Sequence, residues 1–294
     1  MNLQPKPTSH YLASEIDQCP MVDASFSILP VPYEKTVSYG SGTEKGPEAI
    51  LKASQQLETW DGKSNPSSMG IHTCSPVNCS GEAEAVIERI AGAVKDILEM
   101  GSMPVVLGGE HTVSFGVIKG YLDAGIKDFG VVQIDAHADL RDAYEGDPLS
   151  HASVMKRICD EGIPIYQLGI RAYCEEEKAT RDKNPNIYFK DADELVPQAV
   201  QSIKLPNEFP QKVFFTVDID GLDPSVFPST GTPVPGGLGW YQTLNLFESV
   251  AQQRKIIGFD IMEFSPQDNF HAYDFAAALL SYKLMGIVQR TNNL

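Results

Sequence analysis

"FGVVQIDAHADL" (129–140) is the stretch on which the reading of this chain turns. Its first six residues are almost wholly apolar, as a strand covered on both faces must be. The next six set Asp135, His137 and Asp139 at alternate positions between alanines. In extended backbone, residues two apart point the same way. While the chain stays extended, the two carboxylates and the imidazole therefore share one side. They stand at the carboxyl end of a strand, which is where open α/β sheets bind their ligands.

Runs of the same apolar kind recur on either side: "FSILPV" (Phe26–Val31), "MPVVL" (103–107), "IPIYQLGI" (163–170), "VFFTV" (213–217) and "IIGFDI" (256–261). Helical patterns lie between them. In "EAEAVIERIAGAVKDILEMG" (82–101) the apolar residues Val86, Ile87, Ile90, Val94, Ile97 and Leu98 follow a 3.6 period, and Gly101 makes a C-terminal stop. "HASVMKRICDEG" (151–162), "WYQTLNLFESVAQQ" (240–253) and "DFAAALLSYKLMGIVQ" (274–289) read the same way. Strands alternating with helices predict an α/β fold, a mostly parallel central sheet with helices on both faces. No linker divides the chain, and "NPSS" (65–68) reads as a loop. One domain is expected over 1–294, with about 1–22 forming an N-terminal arm.

Bulk composition narrows the partners. Asp and Glu outnumber Lys and Arg by 39 to 23, a net charge of −16. That argues against nucleic acid and anionic membrane, which need a positive surface, and mildly favours a cationic small molecule. The five cysteines are odd in number and form no CxxC pair, against a disulfide framework or zinc ribbon. Cys74 and Cys79 read as ordinary thiols. The first residues have no apolar signal core and no uncharged apolar run reaches ~18 residues, so a cytoplasmic location is expected.

The acidic residues and histidines gather at strand ends. His111 follows "VVLGGE", and "VFFTVDIDGLDP" (213–224) closes with Asp218 and Asp220, again two apart. His151 opens a helix in "SHASVM", whereas His10, His72 and His271 stand alone and read as surface or capping residues. A single Asp after a strand is ordinarily a turn former. D-x-H-x-D, D-x-D and GGEH at three strand ends are harder to read as three unrelated turns. Four carboxylates packed together need raised pKa values or cations. Two divalent ions would cancel the charge, and mixed carboxylate and imidazole donors suit Mn²⁺, with Fe, Co, Ni or Zn as competitors. Such a pair can share and acidify a water.

"GGEH", "DAHAD", "SHA", "TVDIDGLDPSVFPSTGTPVPGG" and "DIMEFSP" resemble, in order, the motifs of the ureohydrolases, the arginase and agmatinase family. The resemblance implies a three-layer α/β/α, arginase-like fold and two Mn²⁺ per subunit. His111, Asp135, Asp139 and Asp218 would bind one ion, and Asp135, His137, Asp218 and Asp220 the other, with Asp135 and Asp218 bridging. It further implies that His151 shuttles protons, that Glu263 grips the guanidinium group and that Thr232 lies near the substrate. Asp139 or His151 would protonate the leaving amine. A homo-oligomer, trimer or hexamer, is implied as well.

The branch of the family is read from loops. Arginases carry an asparagine two residues after the DxHxD motif, where this chain has Arg141. "DLRD" and "TVSYGSGTEKGPEAI" (36–50) instead resemble agmatinases, which implies hydrolysis of agmatine to urea and putrescine. Gln267-Asp268 and Tyr273 depart from the agmatinase pattern at the expected tail pocket. That leaves guanidinobutyrate, formiminoglutamate, arginine or guanidine as alternatives. A non-catalytic binding protein of this fold is the rival from another class. A deacetylase-like amidohydrolase would hold one metal rather than two.

Overall fold

The computed structural model describes residues 10–292. Its strands are β1 (Phe26–Val31), β2 (Ile71–Thr73), β3 (Met103–Gly108), β4 (Gly130–Ile134), β5 (Ile165–Leu168), β6 (Ile187–Lys190), β7 (Lys212–Asp218) and β8 (Lys255–Met262). They form one sheet in the order β2-β1-β3-β8-β7-β4-β5-β6. Every pairing is parallel, so the sheet expected to be mostly parallel is wholly so among the described residues.

Neighbouring residues on a strand enter opposite cores. Val105, Leu107 and Phe215 pack in one, Val106 and Phe214 in the other. Both faces are covered, which is why these strands read as continuous apolar runs. The helices are α1 (Gly46–Ser54), α2 (Ala83–Glu99), α3 (Thr112–Asp123), α4 (Val154–Asp160), α5 (Glu175–Lys183), α6 (Ala192–Leu195), α7 (Trp240–Ala251) and α8 (Ala272–Thr291). α1 and α7 pack beside α8 over the first core, and α2 and α4 flank α3 over the second. No helix among the described residues is long and apolar enough to cross a membrane.

Two strands lie outside the sequence reading, β2 and β6, and both are edges. β2 has three residues with a histidine at its centre. β6, "IYFK", leaves Phe189 facing outward. Edge strands are kept short and partly polar, so they lack the long apolar run that marks the interior ones. α3 escaped the helical pattern because it is apolar nearly all round and carries Gly116 and Gly120. These two glycines let α2 lie against it. A Cβ at Gly116 would meet Ile90 at 2.9 Å, and one at Gly120 would meet Val94 at 2.6 Å. α2 ends as expected at Gly101, whose φ of +79° allows Ser102 N–H to reach back to Ile97 O.

Residues 1–9 of the expected arm lie outside the described residues. From residue 10 the chain is tied down. Tyr11 and Leu12 are fully buried, and the Tyr11 hydroxyl donates to Ala278 O at 2.8 Å in α8.

An ion pair between buried Asp61 and half-buried Arg290 anchors the far end of α8. Asp61 accepts N–H bonds from Lys63 and Ser64 and meets Arg290 Nη1 at 2.7 Å. Gly286 leaves the space for its carboxylate, since a Cβ there would lie 1.8 Å from Asp61 Oδ2. Burial alone would raise the Asp61 carboxyl, but Arg290 and the two N–H donors hold it below its ordinary value.

The chain crosses from β3 to β4 and later lays β7 and β8 between them. The carboxyl ends of β3, β8, β7 and β4 thus stand side by side, and the reversal of strand order marks the crevice where ligands bind.

Two stability predictions follow from this packing. Gly120→Val should destabilise the fold by roughly 1–3 kcal/mol through overpacking, read as a lowered Tm; an unchanged Tm would show that α2 and α3 separate freely. Arg290→Ala should cost ~3 kcal/mol at neutral pH because Asp61 is left charged and unpaired. In the native chain the lowered Asp61 pKa contributes stability that is full above the ordinary carboxylate value and is lost as pH falls below it and through the lowered folded value. The gap between variant and native chain should therefore narrow in acid, as denaturant titrations at pH 7 and pH 4 would reveal.

Candidate metal centre

Four strand ends supply the site: the turn after β3 carries His111, β4 leads into Asp135, His137 and Asp139, β7 ends in Asp218 followed by Asp220, and β8 leads to Glu263. His111, Asp135, Asp139, Asp218, Asp220 and Glu263 are all buried.

His111 Nδ1 lies 3.1 Å from Asp135 Oδ2, 3.2 Å from Asp139 Oδ2 and 3.1 Å from Asp218 Oδ2. It is aligned for a hydrogen bond with none of them. Its other nitrogen, Nε2, is 2.9 Å from Thr216 Oγ1, which lies 3.4 Å from Ser114 Oγ, and Ser114 in turn donates to Asp260 Oδ2 at 2.7 Å. Burial would lower His111, but without a cation the three carboxylates around Nδ1 push it well above the ordinary imidazole range, so both nitrogens carry protons. A cation in that place would take the lone pair of Nδ1, with Nε2–H held from behind by Thr216. A second group follows beside it. His137 Nδ1 is 2.9 Å from Asp220 Oδ2 and 3.8 Å from Asp135 Oδ1. The donor atoms of His111, Asp135 and Asp139 lie within 4.8 Å of one another, as do those of Asp135, His137 and Asp220. Asp135 is common to both, which suits a pair of metal ions.

The alternation expected from the sequence does not persist. Asp139 has φ of +52°, so the chain turns out of the extended form and sends Asp139 to the His111 group while His137 goes to Asp220. Asp218 and Asp220 part in the same way across a 3-10 turn (Ile219–Gly221). Asp218 gives Oδ2 to the His111 group, and its Oδ1 accepts the Asp220 N–H at 2.9 Å.

Without a cation the cluster settles its charge with protons. Burial, then the charges of Asp139 and Asp220, push Asp135 up to about 7. Burial also drives Asp218 well above the carboxylate range. Burial would lower His137, but its hydrogen bond to Asp220 and the surrounding charges push it up to about 10. Divalent ions would replace those protons, and the hard oxygen and imidazole donors fit a first-row metal.

A cavity of about 290 Å³ opens over this centre, and its wall includes His137, Asp139, His151 and Thr232. Thr232 also donates to Asp220 Oδ2 at 3.2 Å, so it supports a candidate ligand as well as facing the cavity. Glu263 is not in the wall. It sits at φ +60° with Oε1 accepting the His111 N–H at 2.8 Å, and burial followed by the neighbouring Glu110 charge raises its carboxyl well above the ordinary range. Tyr273 and Gln267 do not line the cavity either. Tyr273 packs its ring on Phe227 and Phe270, 5.4 and 5.3 Å between centroids. Arg141 does line it, balanced by Glu177 at 3.9 Å.

Several supporting residues went unread in the sequence. Gln133 Nε2 donates to Asp135 Oδ2 at 2.7 Å, and Gln167 in turn donates to Gln133. Arg171 donates to Asp220 O at 2.6 Å and to Val234 O at 2.7 Å, fastening the 218–222 turn. Gln133, Gln167, Thr216 and Asp260 share one signal. Each is a polar residue inside an apolar strand, where it must find a hydrogen-bond partner.

Thr216→Val should keep the fold yet weaken metal binding roughly 10–100-fold, measured by calorimetric Mn²⁺ titration of the stripped protein. Equal affinity would mean that His111 needs no outer support. Asp135→Asn should lower the occupancy of both ions together, read as bound metal per chain; retention of two ions would remove Asp135 from its shared position.

Comparison with known proteins agrees with this geometry. The Arginase family profile matches residues 24–286. The N(1)-aminopropylagmatine ureohydrolase of Synechocystis sp. is 40% identical over 277 residues, 90% of this chain and 89% of that protein. The enzyme of the same name from Thermus thermophilus is 35% identical over 271 residues, 91% and 92% of the two chains. The crystal structure of the agmatine ureohydrolase of Thermoplasma volcanium superposes with a TM-score of 0.81 at 26% identity, covering 98% of this chain and 97% of that one. A family profile spanning nearly the whole fold, over a centre of two His/Asp groups, identifies the chain as an agmatinase-like ureohydrolase of the arginase family.

Proposed function

We propose that the chain hydrolyses the guanidino group of an agmatine-type amine to urea and the free amine, with two Mn²⁺ as its native ions. His111, Asp135, Asp139 and Asp218 would hold one ion, and Asp135, His137, Asp218 and Asp220 the other. The observation that carries this reading is His111 Nδ1 set among three carboxylate oxygens, 3.1–3.2 Å away, beside a second His–Asp group. Ions bound there supply an acidified water and electrostatic stabilisation at the reacting carbon.

The chain's own groups do the rest. Glu263 holds one oxygen on the His111 N–H, and its Oε2 takes no donor among the described residues. That oxygen is available to a guanidinium N–H. A planar cation arriving there restores the charge that burial and Glu110 disfavour, and forms charge-assisted hydrogen bonds. Thr232 limits the site on the Asp220 side. His151, in the cavity wall, returns a proton to the leaving nitrogen, with Asp139 beside it as a second carrier. Imidazole suits this because one ring nitrogen can collect a proton while the other is held by a hydrogen bond.

The loop motifs favour agmatine, whereas the 40% identity to an N(1)-aminopropylagmatine ureohydrolase favours agmatine extended by an aminopropyl arm. Both present the same guanidinobutyl end to Glu263. We place the longer amine first, since that relative spans nine-tenths of the chain, and its hydrolysis would yield the aminopropyl derivative of putrescine. Assembly into a homo-oligomer and a cytoplasmic location complete the proposal.

The test is urea release by Mn²⁺-loaded protein from agmatine, N(1)-aminopropylagmatine, guanidinobutyrate, arginine and guanidine, with formamide assayed for formiminoglutamate. The two agmatine-type amines should exceed arginine in kcat/KM by at least tenfold, ~1.4 kcal/mol. Preference for another compound would overturn the substrate, and silence with two ions bound would overturn the reaction. Glu263→Gln should retain both ions while kcat/KM falls roughly 100-fold, about the cost of truncating a buried charge pair; unchanged kinetics would remove Glu263 from guanidinium binding.

A further inference from the structure

Glu110, of the "GGEH" motif, is fully buried and takes no part in the metal groups. Its carboxylate is held by three donors and shares a fourth. Oε2 takes the backbone N–H groups of Lys35 and Thr36, and Oε1 takes the Thr36 hydroxyl at 2.7 Å and faces the Thr112 hydroxyl at 2.8 Å, which Leu149 O also approaches at 3.0 Å. Thr36 belongs to the loop between β1 and α1, so Glu110 clamps that loop over the carboxyl end of β3.

The Thr36 hydroxyl has one proton, and Glu110 takes it. Its oxygen can then only accept. It accepts the His151 backbone N–H at 3.0 Å and lies 3.1 Å from His151 Nδ1. Nδ1 must therefore be the donor. The other polar atom near it, Ser150 Oγ, is 3.3 Å away and accepts the Ala152 N–H; its own proton stays free to turn, so Thr36 and not Ser150 decides the tautomer. The edge-on ring of Tyr144, 5.7 Å between centroids, limits rotation of the imidazole.

We propose that Thr36 and Glu110 are positioning residues that fix His151 as the Nδ1–H tautomer, leaving Nε2 as the atom that exchanges a proton with the leaving amine. This rests on the reading of His151 as the proton donor. Neither residue touches the reacting atoms: Glu110 orients a hydroxyl, and the hydroxyl orients a ring. A ring free to adopt the other tautomer would offer an N–H where a lone pair is needed to collect the next proton.

The experiment is ¹⁵N NMR of the histidine side chains in the full chain loaded with diamagnetic Zn²⁺, with kcat and KM measured on the Mn²⁺-loaded form and metal content checked in every variant. Native protein should show His151 as Nδ1–H, and an Nε2–H form would overturn the proposal outright, whatever the variants do. Thr36→Val should abolish the preference and lower kcat roughly tenfold to a hundredfold, less than the ~10²–10⁴ that a positioned general acid supplies in full, at unchanged KM. Thr36→Ser should restore both. Glu110→Gln, whose amide can donate to Thr36 and reverse its hydroxyl, should shift the tautomer as Thr36→Val does. An unaltered spectrum and kcat in Thr36→Val, or a rise in KM alone, would refute the positioning role. His151→Ala separates the two readings: if kcat survives that change, His151 is not the donor, while the tautomer spectra still decide the hydrogen-bond assignment.

Discussion

Carboxylates are crowded, out of water, at the carboxyl edge of the four central strands, and this repulsion shapes much of the surrounding structure. Each oxygen has to be aimed before any cation arrives, because free carboxylates would swing apart. Asp135 is held by Gln133 and by the His137 N–H, Asp220 by the Ala136 N–H, and Asp218 by the Asp220 N–H. The backbone is bent to the same end. Asp139 and Glu263 both occupy positive φ, at +52° and +60°, a conformation that costs a non-glycine residue of order 1–3 kcal/mol. Close approaches do further work. A Cβ at Gly109 would strike Tyr33 O at 1.9 Å, and one at Gly221 would meet Asp135 N at 2.8 Å. Both glycines let loops close over the strand ends without displacing a ligand.

Support is arranged in depth. Behind His111 stand Thr216 and Asp260, on adjacent strands and in register with each other. Behind His151 stand Thr36 and Glu110. In both, a threonine hydroxyl stands between the imidazole and a buried carboxylate, directly at His151 and by way of Ser114 at His111. The threonine meets Nε2 of the ring nearer the metal groups and Nδ1 of the ring in the cavity wall, so the two imidazoles are held from opposite attachment points.

Much of this was legible in the residues, and the remainder was hidden for physical reasons. Continuous apolar runs located the six interior strands, because a strand covered on both faces has no other way to be written. Edge strands obey the opposite pressure, so "IHT" and "IYFK" passed unnoticed. The D-x-H-x-D spacing set Asp135, His137 and Asp139 just beyond one strand end, where the structure has them, and period-two reasoning put them on one side for as long as the chain stays extended. It could not foresee that Asp139 leaves the extended form. Thr36 and Glu110 lie 74 positions apart and meet only through the fold. The tail region was equally opaque: Tyr273 turned to an aromatic cluster, whereas Arg141 and Glu177 face the cavity.

The order in which the strands are laid down has a bearing on synthesis. β7 and β8 are the last strands made, yet they occupy the middle of the sheet, between β3 and β4. A nascent chain that has emerged only as far as β6 has two half-sheets with a gap between them and lacks Asp218, Asp220 and Glu263. It can present His111 and the 135–139 donors, but on separate pieces. Insertion of the final strand pair closes the gap and brings the two halves of the centre to one place. Assembly of the two His/Asp groups is therefore tied to the last two strands: a chain stopped before β7 lacks Asp218 and Asp220 and leaves His111 and the 135–139 segment on separate pieces of sheet.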